Sequence, residues 1–191
     1  MGKKILAINP GSTSTKIAVY DDKELIFKET VEHSMVELEK YENIQGQFDM
    51  RKDNIINVLN EKGIKISDLS AIVGRGGILP PVQSGAYRVN DVMINRLKYN
   101  PIVPHASNLG ALIAHAIAEP VGLTSYIYDS VAVDEMDDIA RISGMPEIKR
   151  ISLSHALNSR AMAHKVAEKY GKAYKDMNFV VAHLGGGISL T

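Results

Sequence analysis

Cysteine and tryptophan are both absent from this 191-residue sequence. Without cysteine there can be no disulfide framework, thiolate zinc site, iron–sulfur cluster or cysteine nucleophile. This composition fits a protein of the reducing cytoplasm, which is the location we expect.

Net charge is also missing, because 22 Lys and Arg residues balance 22 Asp and Glu residues. A neutral chain without a dense basic run has no field that would condense it on nucleic acid or on an anionic membrane. The opening apolar run at residues 5–8 is too short for a signal peptide or a membrane span. We therefore expect neither a nucleic-acid partner nor a membrane partner.

The apolar pattern predicts an α/β fold. Three apolar segments separated by turn residues, at 5–8, 17–20 and 24–31, predict an antiparallel meander. Beyond them the predicted helices cover 48–63, 91–99, 107–119 and 156–170, and the predicted strands cover 71–73, 125–129 and 179–183. A meander followed by alternating helices and strands predicts a ribonuclease H-like or actin-like mixed sheet with flanking helices.

Both ends of the chain show the same pattern of an apolar strand, a polar residue and a glycine turn. This repetition suggests an internal duplication in which each copy opens a domain. We expect a first domain over residues 1–150 and the start of a second, similar domain over 151–191. The parent protein would then hold about 350 residues. Because the final strand at 179–183 has no expected partner, we interpret the chain as a fragment that is inactive alone.

The turn N-P-G-S-T-S-T-K at residues 9–16 combines a glycine, several hydroxyl groups and a lysine, the parts that a phosphate site needs. It lacks the spacing of a P-loop and precedes a strand, so a P-loop is excluded. A polar hairpin turn without a ligand remains the alternative. The second candidate is H-L-G-G-G at 183–187, whose glycines weaken a fold unless something must approach the backbone; a flexible tail is the alternative there.

Two charged residues lie close to predicted strand ends. Arg75 stands between glycines, which leave room for its guanidinium to bind a phosphate or carboxylate at two points. Asp129 ends an apolar strand, where a magnesium-holding carboxylate is often found. A surface arginine and an ordinary Asp-Ser turn are the respective alternatives. His105 is either a polar helix start or a pocket residue.

Together these segments resemble the acetate and butyrate kinase family of the actin/Hsp70/sugar-kinase superfamily, from residue 5 to residue 188. The stretches at 8–16 and 182–189 look like the family's two phosphate loops. G-R-G-G-I-L-P-P at 74–81 and H-A-S-N-L-G-A at 105–111 look more like butyrate or branched-chain acid kinases than acetate kinases.

The resemblance implies roles for particular residues. Catalytic roles would fall to Arg75, which would hold the acyl phosphate, to His155, which would face the active site, to His183, which would contact the phosphoryl group during transfer, and to Asp129. Asn9 and Asp129 would hold Mg²⁺, and His105 and Asn108 would line the substrate pocket. The ATP/ADP-binding residues would be Asn9, Gly11, Ser12, Ser14, Lys16, Gly185, Gly186 and Gly187.

The implied activity is a butyrate kinase, an ATP- and Mg²⁺-dependent enzyme that converts a short-chain carboxylate into its acyl phosphate. The resemblance also implies a homo-oligomer in the intact protein. Two alternatives stay open at this point. One is an actin-like or Hsp70-like nucleotide switch, and the other is a non-catalytic fragment with the same fold. An arginine that binds carboxylates favours the kinase, because a switch has no use for one.

Overall fold

A computed structural model of the chain describes residues 2–184 and 188–191. Its centre is a six-stranded sheet with the order β3-β2-β1-β4-β6-β5. The strands are β1 (Lys4–Pro10), β2 (Ser14–Asp21), β3 (Glu24–Glu32), β4 (Ala71–Arg75), β5 (Ala86–Arg88) and β6 (Ser125–Tyr128).

The sheet is mixed, as the sequence predicts. Strands β1, β2 and β3 form the predicted antiparallel meander. Strands β1, β4 and β6 run parallel to one another, while β5 pairs with β6 in the opposite direction. Parallel strands share the edge at which their carboxyl ends meet. The residues that follow β1, β4 and β6 are therefore brought together at one edge.

The helices are α1 (Met35–Leu38), α2 (Phe48–Glu61), α3 (Asp91–Tyr99), α4 (Asn108–Ala118) and α5 (Ala156–Lys169). The four longer ones match the predicted helices to within a few residues at each end. Helix α2 is followed, two residues after its end, by Gly63, whose φ of 69° is easily reached only without a side chain. No helix in the described part of the chain is long and apolar enough to cross a membrane.

Helix α4 is the centre of the hydrophobic core. Almost every side chain in it is buried, because its sequence is apolar on all faces. It lies directly against β4, and the contact depends on two glycines. A Cβ added at Gly74 would be 2.1 Å from the carbonyl oxygen of Gly110, and one added at Gly110 would be 2.4 Å from that of Arg75. Any larger residue would separate the helix from the strand.

The last predicted strand is corrected by the structure. The apolar run at 179–183 is not a buried strand without a partner. Strand β7 (Ala182–Leu184) pairs antiparallel with β8 (Ile188–Leu190) in a separate two-stranded sheet. Val180 and Leu184 are exposed. A continuous apolar run predicts burial only where a second layer covers it, and here the local hairpin satisfies the backbone instead.

Helix α5 buries two small side chains. Ala163 and Ala167 are buried, whereas Val166 is 37% exposed and Tyr170 is 67% exposed. The small alanines allow a close approach there, whereas the larger side chains lie at the margin of the packed surface.

Candidate functional site

An open cleft of about 550 Å³ lies at the shared edge of the sheet, under the start of α5. It brings together several of the residues singled out in the sequence. Those that line it are Asn9, Lys16, Arg75, Asp129, His155 and His183. They come from β1, β2, β4, β7, the residue after β6 and the residue before α5, so segments far apart in the sequence meet in one place.

Three polar side chains lie next to one another on the strands of this cleft. Asn9 is paired with Lys16 in the β1–β2 register. Arg75, at the end of the neighbouring strand β4, donates from Nη1 to Asn9 Oδ1 at 3.3 Å. Two cations therefore flank an amide, an arrangement that favours a bound anion.

Asp129 is held in an uncommon conformation immediately after β6. Its φ is 38°, which a non-glycine residue adopts only where the surroundings fix it. Its Oδ1 accepts a hydrogen bond from Gly85 N at 2.7 Å. Its Oδ2 is buried and has no hydrogen-bond partner among the described residues. A buried carboxylate oxygen left free in this way fits a hard divalent cation.

His155 and His183 form a direct pair. His155 Nδ1 lies 2.9 Å from His183 Nε2, and the ring centroids are 4.3 Å apart. One of these nitrogens must donate and the other accept, so the pair is arranged to share one proton. Desolvation, then the neighbouring His183 and Arg75, lower the pKa of His155 below its usual value. A neutral pair can offer a single N–H to a phosphoryl group.

The two residues expected in a substrate pocket do not line this cleft. Asn108 is fully buried, accepts from Ile78 N at 2.9 Å and donates to Val103 O at 2.9 Å. Its amide therefore ties two loop segments together. His105 Nδ1 lies 2.7 Å from Ser107 Oγ and accepts from Ser107 N, so it organises the residues before α4. Desolvation and then nearby Arg75 lower its pKa.

The predicted nucleotide-binding glycines and serines are divided between two places. Gly11, Ser12 and Ser14 lie in the β1–β2 turn, next to the cleft but not among its lining residues. Gly185, Gly186 and Gly187 lie outside the described residues.

The sequence does not predict the positions of two arginines near the cleft. Arg51 is the largest fully buried side chain and contacts the β1–β2 turn. Arg160 on α5 bonds to Glu135 and places Nη1 3.8 Å from Asp129 Oδ1. Arg51 has charged neighbours in the sequence and Arg160 is an isolated arginine on α5, so a solvated surface is the simplest interpretation of both. Only the position of Arg51 in the apolar stripe of α2, four residues before Ile55, hints at its burial.

No family model matches the chain. Several curated proteins are nevertheless close in sequence. A probable butyrate kinase of Clostridium botulinum (strain Eklund 17B / Type B) is 51% identical over 190 residues, which is 100% of this chain and 54% of that protein. Butyrate kinase 2 of Clostridium acetobutylicum is 52% identical over 187 residues, covering 98% of this chain and 52% of that protein.

Solved structures are similar in fold at much lower identity. The acetate kinase of Porphyromonas gingivalis gives a TM-score of 0.69 at 17% identity, over 98% of this chain and 54% of that one. A propionate kinase of Francisella tularensis gives 0.66 at 18% identity, over 99% and 54%. The predicted ribonuclease H-like fold class is confirmed. The chain spans about half the length of the curated relatives it matches.

Proposed function

We propose that this chain, which is homologous along its whole length to about half of a butyrate kinase, provides part of the active-site cleft of a carboxylate kinase. The reaction is ATP plus butanoate, or a branched short-chain acid, giving ADP and the acyl phosphate. The observation that carries the proposal is the single cleft in which Arg75, Asp129 and the His155–His183 pair meet.

The chemistry requires neutralisation of charge more than a base. A carboxylic acid with a pKa near that of Asp or Glu is already ionised at pH 7, so its oxygen is a nucleophile without proton removal. It must approach the γ-phosphorus of ATP, another anion. The carboxylate oxygen bonds to that phosphorus, the bond to the bridging oxygen breaks, and ADP leaves with the electron pair.

Arg75 is placed to offset this repulsion. Arg75 is half-buried at the end of β4, and its guanidinium is oriented by Asn9, which leaves its other N–H groups without a partner among the described residues. A planar fork of donors matches a carboxylate or phosphate at two points. We assign Arg75 to the acyl group and Lys16, on β2 at the far side of Asn9, to the phosphates.

Asp129, together with Asn9, is the proposed metal-holding residue. The free Oδ2 of Asp129 is an oxygen ligand of the kind that Mg²⁺ prefers. Bound Mg²⁺ would neutralise charge on the phosphate oxygens during transfer. The described residues contain no cluster of three or more His, Asp or Glu side chains arranged for a metal. In this proposal substrate phosphates and water complete the coordination.

The histidine pair acts on the transferring group. With His155 neutral, one N–H of the pair is available as a donor to an equatorial phosphoryl oxygen, on which negative charge accumulates. Because His155 Nδ1 and His183 Nε2 are hydrogen-bonded at 2.9 Å, each ring fixes the orientation of the other.

The test is turnover by the full-length protein on straight-chain acids from two to five carbons, with ATP and Mg²⁺. Acyl phosphate is trapped with hydroxylamine as the hydroxamate, and ADP release is followed in parallel. We expect equal amounts of the two products and a higher kcat/KM for butanoate than for acetate. ADP release that does not depend on added acid would instead indicate a nucleotide switch, and a clear preference for acetate would contradict the assignment to butanoate.

A further inference from the structure

Arg51 is a fully buried cation in the first turns of α2. Every hydrogen-bond acceptor of its guanidinium in the described part of the chain is a neutral oxygen. Two bonds go to the side chain of Gln47, at 3.1 and 2.9 Å, and one goes to Thr15 Oγ1 at 3.0 Å. Desolvation lowers the pKa of Arg51, and the group remains charged because its usual value is so high.

The remaining bonds go to the backbone of the β1–β2 turn. Nη1 donates to Gly11 O at 2.9 Å and to Ser14 O at 3.2 Å, and Nη2 donates to Ser12 O at 2.9 Å. One guanidinium thus holds three carbonyl oxygens of a four-residue segment. The geometry requires a planar fork with several donors, which lysine does not have.

The fourth carbonyl of the turn is taken by another donor. The backbone N–H of His33 donates to Thr13 O at 2.8 Å. All four carbonyl oxygens of residues 11–14 are therefore occupied by donors from inside the protein. The amides of Ser12 and Thr13 have no acceptor among the described residues, and both residues are exposed.

This arrangement separates the hydrogen-bond acceptors of the turn from its donors. Acceptors face the buried guanidinium, and N–H and hydroxyl donors are left on the solvent side, beside the cleft residues Asn9 and Lys16. A turn whose carbonyl oxygens are occupied, and whose Ser12 and Thr13 amides have no acceptor among the described residues, is suited to an anion because its hydroxyl groups can also donate. The positive charge behind the turn adds to this preference.

We propose that Arg51 is a positioning residue for nucleotide phosphate, which acts by fixing the β1–β2 turn with its donors turned outward. The proposal rests on the proposed kinase function. Packing alone does not account for the residue, because an apolar side chain of similar volume would fill the space without the desolvation of a cation.

The test uses the full-length protein with Arg51→Met, which keeps length and removes charge, and Arg51→Lys, which keeps charge and loses the fork. Leu59→Ala is the matched control. It removes a fully buried apolar side chain of the same helix, eight residues after Arg51, that belongs to the hydrophobic core. The measurements are KM for ATP, KM for butanoate, and the Kd of ADP with Mg²⁺ by calorimetry.

We expect Arg51→Met to raise KM for ATP and the Kd for ADP at least tenfold, with KM for butanoate changed less than twofold. Arg51→Lys should lie between it and the wild type, while Leu59→Ala lowers stability and leaves all three constants unchanged. Unchanged nucleotide constants in either folded Arg51 variant, or an equal shift in Leu59→Ala, would overturn the proposal. If the wild type binds ADP but turns over no acid, the kinase assignment fails while ADP binding still decides the role of Arg51.

Discussion

The guanidinium of Arg75 and the side-chain amide of Asn9, 66 positions apart in the sequence, are joined by a hydrogen bond of 3.3 Å at the carboxyl edge of two parallel strands. The pairing of Ile8 with Gly74 in the β1–β4 register places the next residue of each strand side by side. The hydrogen bond fixes one side of the guanidinium and leaves the rest of its fork for a ligand. Arg75 is therefore oriented by the sheet itself and not by a flexible loop.

Replacing Arg75 with Ala should reduce kcat/KM for the carboxylate by roughly 30- to 1,000-fold, which corresponds to about 2–4 kcal/mol of transition-state binding. The unfolding free energy should change by less than about 0.5 kcal/mol, because the hydrogen bond of the Arg75 side chain to Asn9 is solvent-accessible. Steady-state kinetics and urea unfolding of the full-length protein measure the two effects. Arg88→Ala, an exposed arginine at the opposite edge of the sheet, is the control. Equal kinetic constants in the two variants would show that Arg75 is an ordinary surface arginine without a role in the reaction.

The sequence predicts much of this site because parallel strands gather their ends. Arg75 and Asp129 were identifiable as polar residues at the ends of apolar runs. The buried position of Arg51 was not identifiable, because its partners in the turn are backbone carbonyls, which every residue type has. The contact of His155 with His183 was also unpredictable, since it depends on how α5 and β7 lie in space and on no spacing in the sequence.

Gly110→Ala should lower the free energy of unfolding by about 3 kcal/mol, at the upper end of the usual cost of overpacking. The added Cβ would lie 2.4 Å from the carbonyl oxygen of Arg75, and neither backbone can move without separating α4 from β4. Because that movement displaces Arg75, activity should fall as well. Urea unfolding and kinetics check both effects.

The control for this substitution is Gly144→Ala, since a Cβ at Gly144 has nothing within 4 Å and the backbone there has no positive φ. We expect its unfolding free energy to stay within about 0.5 kcal/mol of wild type. Similar stabilities of the two variants would show that the close approach of α4 to β4 does not limit stability.

The end of the chain shows where pattern reasoning fails. The apolar run at 179–183 has the composition of a buried strand, yet β7 pairs with β8 in an exposed hairpin. Composition reports how a segment would behave in a covered sheet. Whether a second layer covers it depends on tertiary packing, which a local pattern does not contain.

The stability of the protein should fall as the pH drops below about 6.5, partly because of His33. This ring is buried, and its Nε2 lies 2.9 Å from Thr15 Oγ1, which already accepts from Arg51. Desolvation and then Arg51 lower the pKa of His33, while Glu37 and Glu32 oppose that shift. The neutral ring accepts the proton of the Thr15 hydroxyl, and a charged ring cannot.

The direction of this pH dependence follows from the linkage between proton binding and folding. Below the unfolded-state pKa near 6.5, His33 binds a proton in the unfolded chain but stays neutral in the folded chain. The stability therefore declines until the pH reaches the lower folded-state pKa. The slope from one histidine is at most about 1.4 kcal/mol per pH unit. His33→Gln, which keeps an acceptor and cannot titrate, should unfold with a shallower pH dependence between pH 7 and 5. Urea midpoints across that range measure it, and parallel curves for variant and wild type would contradict the prediction.

Asp129→Asn should weaken the binding of Mg²⁺ without unfolding the protein. The asparagine Oδ1 can still accept from Gly85 N, and asparagine tolerates the positive φ at this position. What disappears is the charge on the buried Oδ2, the atom that has no partner among the described residues. An amide is a much poorer ligand for Mg²⁺ than a carboxylate, so the half-saturating Mg²⁺ concentration should rise about tenfold or more.

Asp134→Asn is the matched control, because both carboxylate oxygens of Asp134 are already occupied by Arg141 at 2.8 and 2.9 Å. That variant should lose stability and keep the wild-type Mg²⁺ requirement, whereas Asp129→Asn should keep stability and lose Mg²⁺ affinity. The same Mg²⁺ titration curve for Asp129→Asn and wild type would remove Asp129 from the metal site.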